Sequence, residues 1–320
     1  MANENATPSL PIAGVFSRLF HGFPKLLFTN VLFAVPAAVF LGIFYAVNTL
    51  TGWNLPFIMM LAIIPAAPFY AGVVKVALGI AMGEENIDVF RTFKAAVKEN
   101  FGRFLIHGLL FFIAVFFSSS SISIYFQLGK NHSAYYAAMA TCILIAIVLM
   151  FFFFYVPLMT VTFDLSMGAI YRNSLLMSFG ELKSNLIATF GLFLLMVICS
   201  SVLMCCGGNV IALMIATVVL GLLVVPSVAA FIINSAVYKR MFAMVTDKSS
   251  QGKAVDQKIE EKRRELEQRK KATVPVDEEL KKLEVDESAD GDEYIYYKGK
   301  MVKRSVLLRM KQEAEEGEKQ

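Results

Sequence analysis

Residues 134–163 read AYYAAMATCILIAIVLMFFFFYVPLMTVTF and contain no charged residue and no histidine. A helix needs about 20 mostly apolar residues to cross the hydrocarbon core of a bilayer, so this stretch is long enough. Within the hydrocarbon, a single segment can pair all of its backbone amides only as a helix. The stretch therefore predicts a membrane-spanning helix.

Five further stretches are comparably long and apolar, and each is bounded by a charge or a polar turn. They are residues 26–47, 55–80, 104–128, 186–206 and 209–237. Together with residues 134–163 they account for a composition of 57% hydrophobic residues and a mean hydropathy of +0.60. The predicted fold class is an all-α integral membrane protein of six transmembrane helices. Pro65 and Pro68 in the second span and Pro157 in the fourth predict a tilt or a break in those helices.

Charge is divided sharply along the chain. Residues 1–247 contain 12 Lys/Arg and 8 Asp/Glu, whereas residues 248–320 contain 18 of each. The net charge of +4 thus arises in the apolar body, which argues against a nucleic-acid partner. The predicted organisation is an N-terminal cytoplasmic segment (1–25), a six-span membrane domain (26–240) and a charged cytoplasmic tail (241–320).

The positions of Lys and Arg predict the orientation, because short cytoplasmic loops are enriched in these residues. With the N-terminus inside, the inner segments hold ten of them and the outer loops hold only Lys130. We therefore expect a multi-pass protein of the cell membrane with both termini in the cytoplasm.

Two segments between spans predict amphipathic helices that lie on the cytoplasmic surface of the bilayer. In residues 87–104 and 167–186, apolar residues recur every three or four positions beneath a basic face. The basic residues are Arg91, Lys94, Lys98, Arg172 and Lys183. Each unit of span, surface helix and span has the same orientation, which is typical of a parallel repeat. Any polytopic protein with short outer loops and long inner loops gives the same pattern.

Polar residues and prolines within the predicted spans are the candidate functional positions. They are Asn30, Pro65, Pro68, Lys75, His107, Ser118, Ser119, Ser120, Ser121 and Asp164. Lys75, His107 and Asp164 are interpreted either as anchors near the inner boundary or as a proton or ion relay. The serines and prolines are interpreted either as helix-packing positions and kinks or as the lining of a solute path.

No pattern in the chain predicts catalysis, a metal site or a cofactor. There is no GxSxG, HExxH, P-loop or dinucleotide-binding glycine pattern, and the four cysteines lie in apolar stretches without metal-ligand spacing. We therefore expect that the protein is not an enzyme and holds no cofactor.

The tail predicts several small elements. They are a solvated helix over residues 249–271, a short helix from Asp277 to Val285, a hairpin in EYIYYKGKMVKRS that turns at Lys298-Gly299, and a terminal helix over residues 306–316. An isolated two-stranded hairpin is marginally stable in water. We therefore expect it to dock on a partner or on the protein's own cytoplasmic face.

Several short motifs carry a family resemblance over roughly residues 16–240. They are Leu27-x-x-Asn30-x-Leu32-x-x-x-Pro36, Gly83-Glu84, Phe90-Arg91-x-Phe93-Lys94, Lys98-x-Asn100-Phe101, Tyr155-x-Pro157 and Asn173-Ser174. In these the chain resembles the YesL family of bacterial polytopic membrane proteins. The resemblance implies a membrane protein with an accessory role in carbohydrate uptake and implies no catalytic or binding residues. The chain differs from the family pattern in a longer stretch between Pro36 and Pro65 and in its charged tail.

The functional hypothesis from the sequence is an accessory or scaffold subunit of a membrane complex. Its partners would be the lipid bilayer and a membrane protein, such as a transporter subunit, bound through the cytoplasmic helices or the tail. The alternative is a small-solute transporter built on the pseudo-repeat, and an enzyme is the third hypothesis. A hydrated site at mid-membrane depth would favour transport, and its absence would favour a scaffold.

Overall fold

The computed structural model describes residues 12–52, 55–84, 86–246, 294–297 and 299–308. The helices are α1 Ile12–Thr51, α2 Pro56–Met60, α3 Ile63–Met82, α4 Val89–Gly129, α5 Tyr135–Thr162, α6 Met167–Gly180, α7 Leu182–Met204, α8 Val210–Val218 and α9 Val225–Thr246, with a π-helical turn over Val219–Val224 between the last two. Six helical segments of the described chain are long and apolar enough to cross a membrane, which confirms the six predicted spans.

The second span is broken, as its prolines predict. α2 ends at Met60 and α3 begins at Ile63, and Leu61 and Ala62 form a turn between them. Proline lacks the N–H that would reach back four residues. Pro65 therefore cannot donate to the carbonyl of Leu61, which accepts instead from the N–H of Ile64 at 3.1 Å. Pro68 lies inside α3 without interrupting it.

The first predicted surface helix is the beginning of the third span rather than a separate element. α4 starts at Val89, where the Asp88 carboxylate accepts from the backbone N–H of Arg91 at 3.0 Å, and then continues for 41 residues. No proline interrupts residues 89–129, so the amphipathic and apolar parts form one helix. The second predicted surface helix is a separate element, α6, which begins at Met167 directly after the cap residue Ser166.

Most of the buried core lies in one half of the bundle. In α5 the buried residues begin at Phe151, and in α7 they are Ser184, Asn185 and Ala188, all in its first two turns. In the most apolar 18-residue stretch of α4 none of the residues is buried. The other half of the bundle therefore exposes long apolar helix surfaces.

The tail hairpin packs at the end of the bundle that contains this core. β1 Tyr294–Tyr297 and β2 Lys300–Lys303 are antiparallel, and the predicted turn holds Gly299 at a φ of +85°. We call this end of the bundle the hairpin face. The predicted tail helices over 249–271 and 277–285, and most of the predicted helix over 306–316, lie outside the described residues.

Candidate functional site

The hairpin meets the bundle along the end of α5. Met301 of β2 pairs with Phe163 in a parallel bridge, and the backbone N–H of Asp164 donates to the Met301 carbonyl at 3.1 Å. Met301 is 4% exposed and Leu307, just after β2, is 1% exposed. The hairpin thus shares main-chain hydrogen bonds and buried side chains with the membrane domain.

Lys75 lies beneath the turn of the hairpin. Its ammonium donates to the carbonyl of Gly299 and, at 3.2 Å, to the carbonyl of Val161 in α5. Lys300, the next residue of the hairpin, pairs with Glu99 of α4 at 3.5 Å. The Lys75 ammonium of α3 is therefore hydrogen-bonded both to α5 and to the tail hairpin.

Asp164 lies beside Arg103 at the same end of the bundle. The Arg103 Nη2 atom is 3.4 Å from the Asp164 Oδ1 atom, and both side chains are partly exposed. An exposed pair of this kind stabilises a protein by less than about 1 kcal/mol. The predicted candidate Asp164 thus forms an ion pair that joins the loop after α5 to α4.

His107 is buried, and both of its ring nitrogens have partners. Its Nε2 is 2.9 Å from the Thr160 hydroxyl, and its Nδ1 is 3.0 Å from the Tyr171 hydroxyl. Thr160 donates its own proton to the carbonyl of Val156 at 2.8 Å, so it accepts from Nε2–H. Burial raises the pKa of Tyr171 above its ordinary value, so its phenol stays protonated and donates to Nδ1. The neutral imidazole is therefore fully hydrogen-bonded between α4, α5 and α6.

Asn30 lies where the last span is interrupted. Its side-chain amide donates to the carbonyls of Leu223 (2.9 Å) and Val224 (3.1 Å), and its oxygen accepts from the N–H of Ser227 (2.9 Å). The interruption comes directly before Pro226 and includes the π-helical turn. Asn30 thus replaces backbone hydrogen bonds that the interrupted helix lacks.

A second buried asparagine, Asn185, escaped the sequence-based list of candidates. It accepts from the Tyr155 hydroxyl at 2.7 Å and donates to the carbonyls of Met177 and Ser178 at the end of α6. A third, Asn234, donates to the carbonyl of Val74 at 3.0 Å. Amides within apolar spans are the sequence signal for such contacts, but spacing does not identify their partners.

A cavity of about 920 Å³ lies between α1, α3, α4, α5 and α9. Ser118 and Ser119 line it, together with many apolar side chains. A second cavity of about 600 Å³ lies along α4 and α5 and is lined by Ser118 and Ser121. Ser120 lines neither of them and is partly buried. The serine run is therefore divided among different surfaces of α4.

The five residues of the predicted basic face are all exposed: Arg91, Lys94, Lys98, Arg172 and Lys183. The apolar stripe next to them is divided between two environments. Phe93 and Phe104 pack into the core, whereas Phe90 and Phe101 are about half exposed. Exposed phenylalanines beside lysines are typical of a surface that rests in the headgroup region.

Three comparisons with known proteins bear on this arrangement. Residues 26–122 match a family described as "Protein of unknown function, DUF624". This segment is similar to a family without an assigned function. No curated protein and no solved structure matches the chain. The matched segment is less than a third of the chain, and it includes Asn30, Lys75 and His107.

No cluster of three His, Cys, Asp or Glu side chains suited to a metal ion occurs within the described residues. The cysteines Cys142, Cys199, Cys205 and Cys206 are not in disulfides. Asn30 and His107 are hydrogen-bonded between helices, and Lys75 is hydrogen-bonded to α5 and to the hairpin.

Proposed function

We propose that the protein is an accessory subunit that packs against a partner protein within the membrane. The observation that supports this proposal is the bare apolar surface of α4 and α7. In the most apolar 18-residue stretch of α4 no residue is buried, and in the corresponding stretch of α7 only 6% of the residues are buried. Helix association in membranes depends on close packing between helices. Because most of the buried core lies at the hairpin end, the other half of these helices is available to a partner.

The largely apolar lining of the large cavity favours an accessory role over transport of a polar solute. A transport site at mid-membrane depth requires polar groups that replace the hydration of the solute. Around this cavity the hydrogen-bonding capacity of His107 is already used by Thr160 and Tyr171. The remaining polar side chains along its wall are Tyr70, Ser118 and Ser119. This lining offers a polar solute few partners.

Transport of a small solute is the second candidate, and one observation favours it. Two interrupted helices, at Leu61–Ala62 and at Val219–Val224, both contribute residues to the large cavity. Discontinuous helices form the binding sites of many transporters. Uptake of a panel of radiolabelled sugars and amino acids into liposomes that contain the purified protein tests this candidate, and no uptake above empty liposomes would refute it.

We further propose that the hairpin face is cytoplasmic and that the membrane is the cell membrane. Contacts between helices support the placement of the basic residues at one end of the bundle. Arg18 near the start of α1 donates to the carbonyl of Ala81 at the end of α3, and Arg240 of α9 lies 3.9 Å from Glu181 before α7. Labelling of single cysteines with a membrane-impermeant maleimide in intact cells tests this orientation. Lys130→Cys should react from outside, whereas Lys94→Cys should not.

From the resemblance to the YesL family we infer the kind of partner protein, which would be a membrane-spanning subunit of a sugar-uptake system. Photocrosslinking tests the surface and the partner together. A photoreactive residue at Phe190 of α7, which is 62% exposed, should crosslink to that subunit in cells. A matched probe at Phe231 of α9, which is 1% exposed, should not. Recovery of the protein as a lone monomer in mild detergent, with no crosslink from Phe190, would refute the accessory role.

A further inference from the structure

The large cavity has the dimensions of a ligand site within the membrane. Its volume of about 920 Å³ lies within the range of about 300–1,000 Å³ for small-molecule pockets. Its wall follows α4 from Phe104 to Ile122. At 1.5 Å per residue this is about 27 Å, close to the hydrocarbon thickness of about 30 Å. The cavity is therefore long in the direction of the lipid chains.

Small residues and helix interruptions keep the cavity open. Ala114 of α4, Ala146 of α5 and Ala229 of α9 line it with side chains too short to fill it. Gly221 of the π-helical turn and Ala62 of the break before α3 add to the same wall. These positions come from different helices, so the space belongs to the bundle and not to one loose side chain.

One side of the cavity is closed by a tight helix contact. A Cβ atom on Gly108 of α4 would lie 2.4 Å from the Cβ of Ala67 in α3 and 3.1 Å from the carbonyl oxygen of Ile64. Only glycine permits this approach. The contact fixes the separation of α3 and α4 beside the cavity, so the space does not close by sliding of these two helices.

The chemistry of the lining suits an apolar occupant with few polar groups. His107 has no free nitrogen, and Ser119 donates to the carbonyl of Phe116 at 3.1 Å. Tyr70 lines the cavity, and no hydrogen bond joins its hydroxyl to the described residues. Tyr70 lies five residues from Lys75 along α3, about 7.5 Å towards the middle of the membrane. Ser118 also lines the cavity, and no hydrogen bond joins its hydroxyl to the described residues, but it lies 14 residues beyond Phe104 along α4. The Tyr70 hydroxyl is thus the available donor near the end of the cavity that is closer to the hairpin face.

We propose that this cavity binds one hydrocarbon chain of a membrane lipid, with the Tyr70 hydroxyl donating to an ester oxygen at the head of that chain. An empty apolar cavity of this size forfeits dispersion contacts along its whole wall. Water gains too few hydrogen bonds there to replace them. The surrounding bilayer supplies acyl chains at the depth of the cavity. The occupant is a lipid and not the protein partner of the accessory role, so the two proposals are independent.

Photolabelling in vesicles tests the site. The full-length protein is reconstituted in phosphatidylglycerol and phosphatidylethanolamine that include a phosphatidylglycerol with a diazirine on its acyl chain, and labelled residues are mapped by mass spectrometry. We expect labelling at Met150 of α5, which lines the cavity. Ala146→Phe, which fills the cavity one turn away, should reduce that labelling about threefold or more. Ala140→Phe is the matched control, because Ala140 is an exposed residue of the same helix that lines neither cavity, and it should leave the labelling unchanged.

A second filling variant and a hydroxyl variant complete the experiment. Ala229→Phe fills the space from α9, so it replaces Ala146→Phe if that variant fails to fold, as judged by gel filtration and thermal melting. Tyr70→Phe removes one hydrogen-bond donor and should lower labelling about three- to fivefold at low probe concentration. Labelling that the filling variants leave unchanged would overturn the proposal, as would labelling confined to bilayer-exposed residues such as Phe190. Unchanged labelling in Tyr70→Phe would overturn the assigned role of the phenol.

Discussion

Asn30 of α1 and Ser227 of α9, 197 residues apart in the chain, are joined by a hydrogen bond from the backbone of one helix to the side chain of the other. The Asn30 oxygen accepts from the backbone N–H of Ser227 at 2.9 Å, and the Ser227 hydroxyl donates to the carbonyl of Leu26 at 3.0 Å. Asn30 also donates to the carbonyl of Leu223. In an α-helix the carbonyl of residue 223 and the N–H of residue 227 would bond directly. The Asn30 amide connects these two groups.

Asn30→Leu should therefore destabilise the protein strongly, although asparagine and leucine have similar volumes. The variant removes the side-chain partner of two carbonyls, those of Leu223 and Val224, and of the N–H of Ser227. Each interhelical hydrogen bond contributes about 0.6 kcal/mol on average. With three bonds lost, we expect a decrease of about 2 kcal/mol in the free energy of unfolding. Unfolding by SDS in mixed micelles measures it.

The control for this change is Asn48→Leu in the same helix. Asn48 accepts one hydrogen bond, from the N–H of Leu55, in an exposed part of the chain. Its replacement should cost less than about 1 kcal/mol. Equal losses for Asn30→Leu and Asn48→Leu would contradict the bridging role of Asn30.

Local patterns predicted much of the fold. The six spans follow from the length of the apolar stretches, and the turn of the hairpin follows from Gly299, which adopts the positive φ that glycine tolerates. The continuity of α4 was not predicted, because the change from an amphipathic to an apolar pattern suggested a boundary where the backbone has none. Local patterns describe the residues of one segment. They contain no signal that an amphipathic segment and the apolar segment after it form one continuous helix.

Contacts between distant residues could not be predicted in the same way. Lys75 and Gly299 are 224 residues apart, and the partners of His107 lie on α5 and α6. The sequence identified Lys75 and His107 as unusual within apolar spans, because isolated charges and polar groups are costly there. It did not identify their partners, because these depend on how the helices pack.

Gly299→Ala should weaken the attachment of the hairpin. Alanine is strained at a φ of +85°, and its Cβ would lie 3.1 Å from the ammonium nitrogen of Lys75. We expect the local stability of the hairpin to fall by about 1–2 kcal/mol. Hydrogen exchange of the amides of β1 and β2 should accelerate about tenfold. Gly168→Ala, at an α6 position with open space around it, should leave this exchange unchanged. Unaltered exchange in Gly299→Ala would show that the turn tolerates a side chain.

Lys75→Met tests the same attachment from the bundle. Methionine keeps much of the volume of the lysine stem but cannot donate to the carbonyls of Gly299 and Val161. Because the hairpin also contacts the bundle through Met301 and the Lys300–Glu99 pair, we expect faster hydrogen exchange in β1 and β2 without global unfolding. Lys94→Met removes an exposed cation of α4 and is the control for the loss of one charge. If both variants exchange at the wild-type rate, Lys75 does not hold the hairpin.

Tyr155 and Asn185 provide the sharpest test of how α5 is joined to α6 and α7. The Tyr155 hydroxyl donates to the Asn185 oxygen at 2.7 Å, and Tyr155 is 0% exposed. Tyr155→Phe should lower the free energy of unfolding by about 1 kcal/mol, because it leaves a buried acceptor without its donor. Tyr45→Phe, at a tyrosine of α1 that is 62% exposed, should change it by less than about 0.5 kcal/mol.

A double-mutant cycle with Asn185→Leu separates this bond from the rest of the interface. Asn185→Leu alone should cost more than Tyr155→Phe, because it also removes the donors to the carbonyls of Met177 and Ser178. Once Asn185 is replaced, the loss of the Tyr155 hydroxyl should matter little. We expect a coupling energy between about 0.6 kcal/mol, the average for hydrogen bonds between membrane helices, and about 1.7 kcal/mol, the maximum. Strictly additive losses would mean that the two side chains stabilise the protein independently, and that packing of the Tyr155 ring, rather than its hydroxyl, joins α5 to the junction of α6 and α7.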